Sequence, residues 1–163
     1  MTNTRLNRRY VALLVAVVVT FLIPASGPSS HAADPPLVMV VAATSPMQDI
    51  SRSNLRRAFL SEPTGGPGGK IIPLNQPPGT PARQEFDKVV LGLETEAVAR
   101  FWIDQRIRGL GGAPRAFPSA LIARVVPQLP GTIGYLRANE VGPGIKVITI
   151  DGKKPGEAGY LLP

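Results

Sequence analysis

The segment best placed to do chemistry is Thr80-Pro81-Ala82-Arg83. A threonine followed by proline reads as a helix start. The hydroxyl accepts from the backbone of the first turn, and proline's fixed φ suits the first helical position. Such an N-terminus leaves backbone N–H groups unpaired and carries the positive end of the helix dipole, so it attracts anions. Ala82 and Arg83 would supply those N–H groups, Thr80 a hydroxyl and Arg83 a guanidinium. The plainer alternative is an ordinary capped helix with a solvated arginine. Two other patterns carry less. Gly65-Gly66-Pro67-Gly68-Gly69-Lys70 looks like a phosphate loop, but only three residues separate Gly65 from Gly69, and Ile71 follows where Ser or Thr must hold Mg²⁺. Glu85/Asp87 and Glu94/Glu96 are close carboxylates, yet their i,i+2 spacing points them to different helix faces, so they read as solvated surface.

The absent residue types exclude more than the present ones suggest. The chain has no cysteine, and its one histidine, His31, precedes the segment that reads as a folded domain. A thiolate nucleophile, an imidazole base, a Ser-His-Asp triad and an ordinary zinc site are therefore excluded from that domain. A binding role is expected rather than catalysis, with no metal or other cofactor. Without disulfides, stability must come from the core. Beyond residue 33 there are 15 basic and 11 acidic residues, a net charge of about +4. The basic residues are scattered, with Arg56-Arg57 and Lys153-Lys154 the only doublets there. No basic stripe with interleaved aromatics appears, so nucleic acid is not an expected partner.

The elements that must hold Thr80 in place can be read in chain order. Residues 1–32 read as a secretory signal peptide. Arg5, Arg8 and Arg9 precede the apolar run Val11 to Ile23, Pro24 breaks it, and small residues end in Ser30-His31-Ala32-Ala33. Cleavage is expected after Ala32, with Ala33 the near alternative. An uncleaved anchor is the competing reading, but the run is shorter than the ~20 residues a spanning helix wants. Arg8-Arg9 leaves twin-arginine export as an alternative route. The expected location is periplasmic or otherwise exported.

Residues 35–163 are long enough for one domain with its own core. Leu37 to Ala43 reads as a strand buried on both faces, as in a parallel sheet. Ser51 reads as a helix N-cap, with Ile50 and Leu55 placed to form a hydrophobic staple. Gly65 to Gly69 reads as a flexible turn and Lys70 to Leu74 as a second strand. The helix from Thr80 presents Phe86, Val89 and Val90. A further helix over Thr95 to Arg108 buries Val98, Phe101 and Trp102, and Gly109 ends it. Ser119 to Val126 is a shorter helix, and Thr132 to Leu136 and Ile145 to Ile150 are the last strands. Strands alternating with helices give an α/β fold with a mostly parallel or mixed sheet. Phe59, Phe86, Phe101 and Trp102 are expected to pack together on it.

Four landmarks then resemble the phosphate-type periplasmic solute-binding proteins, the substrate-binding components of phosphate ABC transporters. Val40 to Leu60 is similar to the segment that opens that family's second lobe. Pro78-Gly79-Thr80-Pro81-Ala82-Arg83-Gln84-Glu85-Phe86 resembles its Ser-Gly-Thr helix start. Pro130-Gly131-Thr132-Ile133-Gly134-Tyr135 resembles its Pro-Gly-x-Ile-Gly-Tyr strand. Ile150-Asp151-Gly152-Lys153-Lys154-Pro155, with Tyr160-Leu161, resembles its C-terminal signature. The resemblance implies a single three-layer α/β domain like one lobe of a type 2 periplasmic-binding-protein fold. It further implies phosphate or a similar oxyanion at Asn75, Gly79, Thr80 and Arg83, and the membrane subunits of an ABC transporter, or another envelope protein, as partner. The family's arginine and acid before Ser-Gly-Thr, and its serine, are missing here. Leu74-Asn75-Gln76-Pro77-Pro78 stands in their place, and only Gly79 and Thr80 match.

One helix start contributes about 0.3–1 kcal/mol, or roughly 2 when partly buried. A charge-assisted hydrogen bond adds about 1.5–3 kcal/mol. Such an open half-site corresponds to a Kd near ~1 mM, so weak oxyanion binding is expected, or a module that keeps the fold and binds a protein instead. The leader reading has its own test. Intact-mass measurement on protein from the envelope fraction should give an N-terminus at Ala33 or Asp34, and a mass retaining Met1 to Ala32 would rule out cleavage.

Overall fold

The computed structural model describes residues 34–62 and 64–162. The leader expected over residues 1–32 lies outside them. In chain order the elements are β1 (Leu37–Ala42), β2 (Asp49–Ile50), α1 (Arg52–Phe59), β3 (Gly65–Gly66), β4 (Gly69–Lys70), β5 (Ile72–Asn75) and α2 (Pro81–Phe86). There follow α3 (Thr95–Ile107), β6 (Arg115–Ala116), α4 (Ser119–Val125), β7 (Thr132–Arg137), β8 (Ile145–Val147) and β9 (Thr149–Ile150). One π-helical turn, Asp87–Leu91, prolongs α2 until Gly92 takes φ 67° and ends it.

Five strands form the central sheet in the order β6-β5-β7-β1-β8. β5 runs parallel to both neighbours, and β1 antiparallel to both, from Leu37 opposite Arg137 to Ala42 opposite Ile145. The sheet is therefore mixed. Burial of β1 on both faces, expected from parallel neighbours, has a different cause: a helical layer covers each face. Leu37, Met39 and Val41 join the cluster holding Leu55, Phe59, Phe86 and Val98, from α1, α2 and α3. Val38 and Val40 join Ile122 and Val126, from α4 and its end. Gly134 of β7 is what lets α4 sit so close, since a Cβ there would lie 2.8 Å from Ile122 Cγ2.

Ser51 caps α1 by accepting from Asn54 N–H, as its sequence position predicts. The glycine run expected as a plain turn instead closes a short hairpin, β3 with β4. The final strand is divided. Ile145–Val147 pairs with β1, whereas Thr149–Ile150 turns away to pair in parallel with β2.

The four expected aromatics share one cluster, two of them at its centre and two packed against its margin. Phe86 stacks on Tyr135 at 4.1 Å between ring centroids, and Phe59 tilts against Phe86 at 4.6 Å. All three rings are fully buried, and they join α1, α2 and β7. Phe101 and Trp102 are half-buried at the margin of this cluster, in edge contact with each other. Aromatic truncation in a core costs about 3–5 kcal/mol. Phe86→Ala should show that cost in chemical denaturation, and Trp102→Ala distinctly less. An equal cost for the two would mean that α3 is bound into the core as tightly as α2.

Candidate functional site

The Thr80 turn lies between β5 and α2, and its geometry follows its sequence. Gly79 adopts φ 84°, a left-handed conformation that suits glycine. Thr80 is the N-cap, with φ −71° and ψ 143°, and Pro81 is the first helical residue. The Thr80 hydroxyl accepts from Arg83 N–H at 3.4 Å and donates to Pro77 O at 3.0 Å. Among the described residues, the N–H groups of Gly79 and Ala82 have no hydrogen-bond partner.

The Arg83 guanidinium is held within the protein. Its Nε donates to Asp87 Oδ2 at 2.7 Å, one helical turn on, and its Nη1 donates to Gln76 O at 2.9 Å. Arg83 is 6% exposed and Asp87 3%. Asp87, read from sequence as solvated surface, is thus a buried member of an ion pair. The i,i+2 argument correctly separated it from Glu85, but it could not say which of the two faces pointed inward. Glu85 is half-buried and pairs with Arg137 at 2.6 Å. Burial pushes the Asp87 carboxyl above the usual carboxylate range, while the Arg83 charge and hydrogen bond oppose that rise. Among the described residues, the buried Asp87 Oδ1 has no hydrogen-bond partner.

Asn75 also points its carboxamide oxygen into the fold. It accepts from Tyr135 O–H at 2.6 Å and from Gln76 N–H at 3.1 Å. Gln76 closes the knot, donating its N–H to Tyr135 Oη at 3.1 Å and its Nε2 to Tyr135 O at 3.1 Å. Burial raises the Tyr135 phenol well above its ordinary range, so it stays protonated and able to donate. Of the four residues singled out by sequence, Gly79 and Thr80 form the turn, while Asn75 and Arg83 brace it from beneath.

Gln76, Asp87 and Tyr135 complete the arrangement and were not singled out. The Arg83/Asp87 pair carried a readable signal, because opposite charges four apart on a helix are neighbours. Gln76 and Tyr135 carried none, being 59 residues apart. Chemically, the turn offers two backbone N–H donors and a hydroxyl already engaged with Pro77 O and Arg83 N–H. The one cation within its own helical turn is neutralised.

The chain is thus a three-layer α/β domain with a mixed central sheet and a capped helix start following β5. No protein-family model matches the chain, and no curated protein matches it. Among solved structures it is similar to an ABC-type phosphate transport receptor from Vibrio cholerae, with 19% identity, TM-score 0.59, 74% of this chain and 48% of the receptor covered. It is also similar to a putative phosphate ABC transporter substrate-binding protein with bound phosphate from Clostridium perfringens, at 16% identity, TM-score 0.57, 74% and 46% coverage. A third is PstS from Borrelia burgdorferi, at 17% identity, TM-score 0.56, 74% and 49% coverage. The chain spans under half the length of each, and at these identities the likeness is one of fold.

The buried pair makes a pH prediction. Breaking such a pair by removing one partner costs about 3–5 kcal/mol. Arg83→Met should lose about that at neutral pH, because Asp87 is left charged and buried. Without Arg83 the folded-state pKa of Asp87 rises further. The variant's deficit should therefore shrink as pH falls through that raised value toward the unfolded one. Thermal melts of both proteins from neutral pH to mild acid test this. A deficit independent of pH would mean that Asp87 is not the group responsible for the loss.

Proposed function

We propose that this chain is an exported solute-binding-like lobe that works by docking to another envelope protein, an ABC transporter membrane subunit among the candidates. One observation carries the reading. Arg83, the cation nearest in sequence to the Thr80 turn, is buried against Asp87 and Gln76 O, leaving the turn without a free charge of its own to hold an anion. Asn75 is likewise engaged internally. The fold is retained, and its polar residues serve the fold.

A second reading is favoured by the unpartnered N–H groups of Gly79 and Ala82, which could receive an oxyanion such as phosphate from solvent. With two backbone donors and a helix dipole, affinity would be on the order of 1 mM or weaker. Isothermal titration with phosphate and sulfate separates the two. The docking reading expects no saturable heat up to about 10 mM ligand, together with a discrete cross-linked adduct in the envelope fraction. Saturable millimolar binding would favour the half-site. Micromolar affinity would overturn both and make the chain a receptor in its own right.

A further inference from the structure

We infer a second binding site, away from the Thr80 turn, that takes a single-chain amphiphile with an anionic head. It exists because one strand is too short. β6 has two residues and covers β5 only at Leu74 and Asn75, so among the described residues no strand pairs with Ile72 and Pro73 on that edge. A groove of about 1080 Å³ opens beside them, bounded by the end of α1, the β3–β4 hairpin, the approach to β6 and the far end of α4. This is just above the range of about 300–1,000 Å³ in which proteins usually take small ligands. Its wall is largely apolar, with Ile72, Leu74, Phe117, Val125 and Leu129. Ile72 is 45% exposed and Leu129 50% exposed.

The edge does not suit an added strand. Asn75 O accepts from Phe117 N–H on the β6 side, and Ile72 N–H points the other way, to Gly131 O. By alternation the backbone polar groups directed to the groove side are those of Ile71 and Pro73. Ile71 N–H is directed to Thr64 O, and proline has no N–H. A peptide strand would find no donor there. A hydrocarbon chain needs none.

Charge chooses the head. Lys70 and Arg115 both line the groove, and neither has an ion-pair partner among the described residues. Glu62, also on the wall, is paired with Arg57 at 3.0 Å. The groove thus presents two uncompensated cations beside an apolar wall. A carboxylate or phosphate on an acyl chain satisfies both demands.

The test is calorimetric titration of the purified protein with dodecanoate below its micelle concentration, with dodecanol as the uncharged control. Saturable one-to-one binding is expected. Ile72→Asp and Leu129→Asp should each weaken it at least about tenfold through loss of apolar burial, with the melting temperature unchanged because both positions are already half-exposed. Lys70→Glu combined with Arg115→Glu should weaken dodecanoate and leave dodecanol unaffected. Dodecyl phosphate run beside dodecanoate separates a phospholipid-derived head from a free acid, and saturable binding of either supports the proposal. Absence of saturable binding, or binding indifferent to both aspartate substitutions, would overturn it. Equal sensitivity of dodecanol to the charge reversals would overturn the assignment of the head. None of these results depends on what the Thr80 turn binds, so they fail or succeed independently of the docking reading.

Discussion

The ion pair between Arg83 and Asp87 fixes the geometry around it. Two charges taken out of water are costly unless attraction and further hydrogen bonds compensate. Here compensation comes from a 2.7 Å contact and a bond to Gln76 O, which tie α2 to the loop leaving β5. Gln76 in turn is anchored by Tyr135, whose ring stacks on Phe86, the last residue of α2 and the neighbour of Asp87 in the chain. The polar knot and the aromatic cluster thus share Tyr135. Loosening either lets α2 shift on the sheet.

Asp87 also marks where α2 widens into its π-helical turn. Such turns interrupt an α-helix and occur frequently at functional sites. In this chain the residue at the transition is the partner of a buried arginine. The buried side chains of Asn75, Gln76, Arg83 and Asp87 are bonded to Tyr135, to one another or to nearby backbone. Among the described residues, Asp87 Oδ1 is one of three buried side-chain polar atoms without a partner.

Much of this was legible in the sequence where the signal was local. Ser51 and Thr80 announce caps, Pro81 a first helical turn, and Gly109, at φ 70°, the end of α3. These depend on neighbours a few residues away. The strand directions did not follow, because continuous apolar runs such as Leu37 to Ala42 report burial on two faces and are silent on the sense of the adjoining strands. The division of Ile145 to Ile150 was equally hidden, since it is set by which distant strand each half meets. At the candidate site the turn could be read and its bracing could not. Whether an arginine in a first helical turn faces water or a carboxylate is decided by the packing of the whole helix, and Gln76 and Tyr135 meet only once the sheet exists.

The placement of β1 has a kinetic consequence. It is the first strand of the domain, yet both its neighbours in the sheet come from far along the chain, Leu37 meeting Arg137 and Val40 meeting Val147. Pairings so distant in sequence slow folding, because the chain must close a long loop before any contact rewards it. A nascent chain emerging from its N-terminus holds β1 without either partner until β7 and β8 have been made. The centre of the sheet is therefore among the last parts that synthesis can complete.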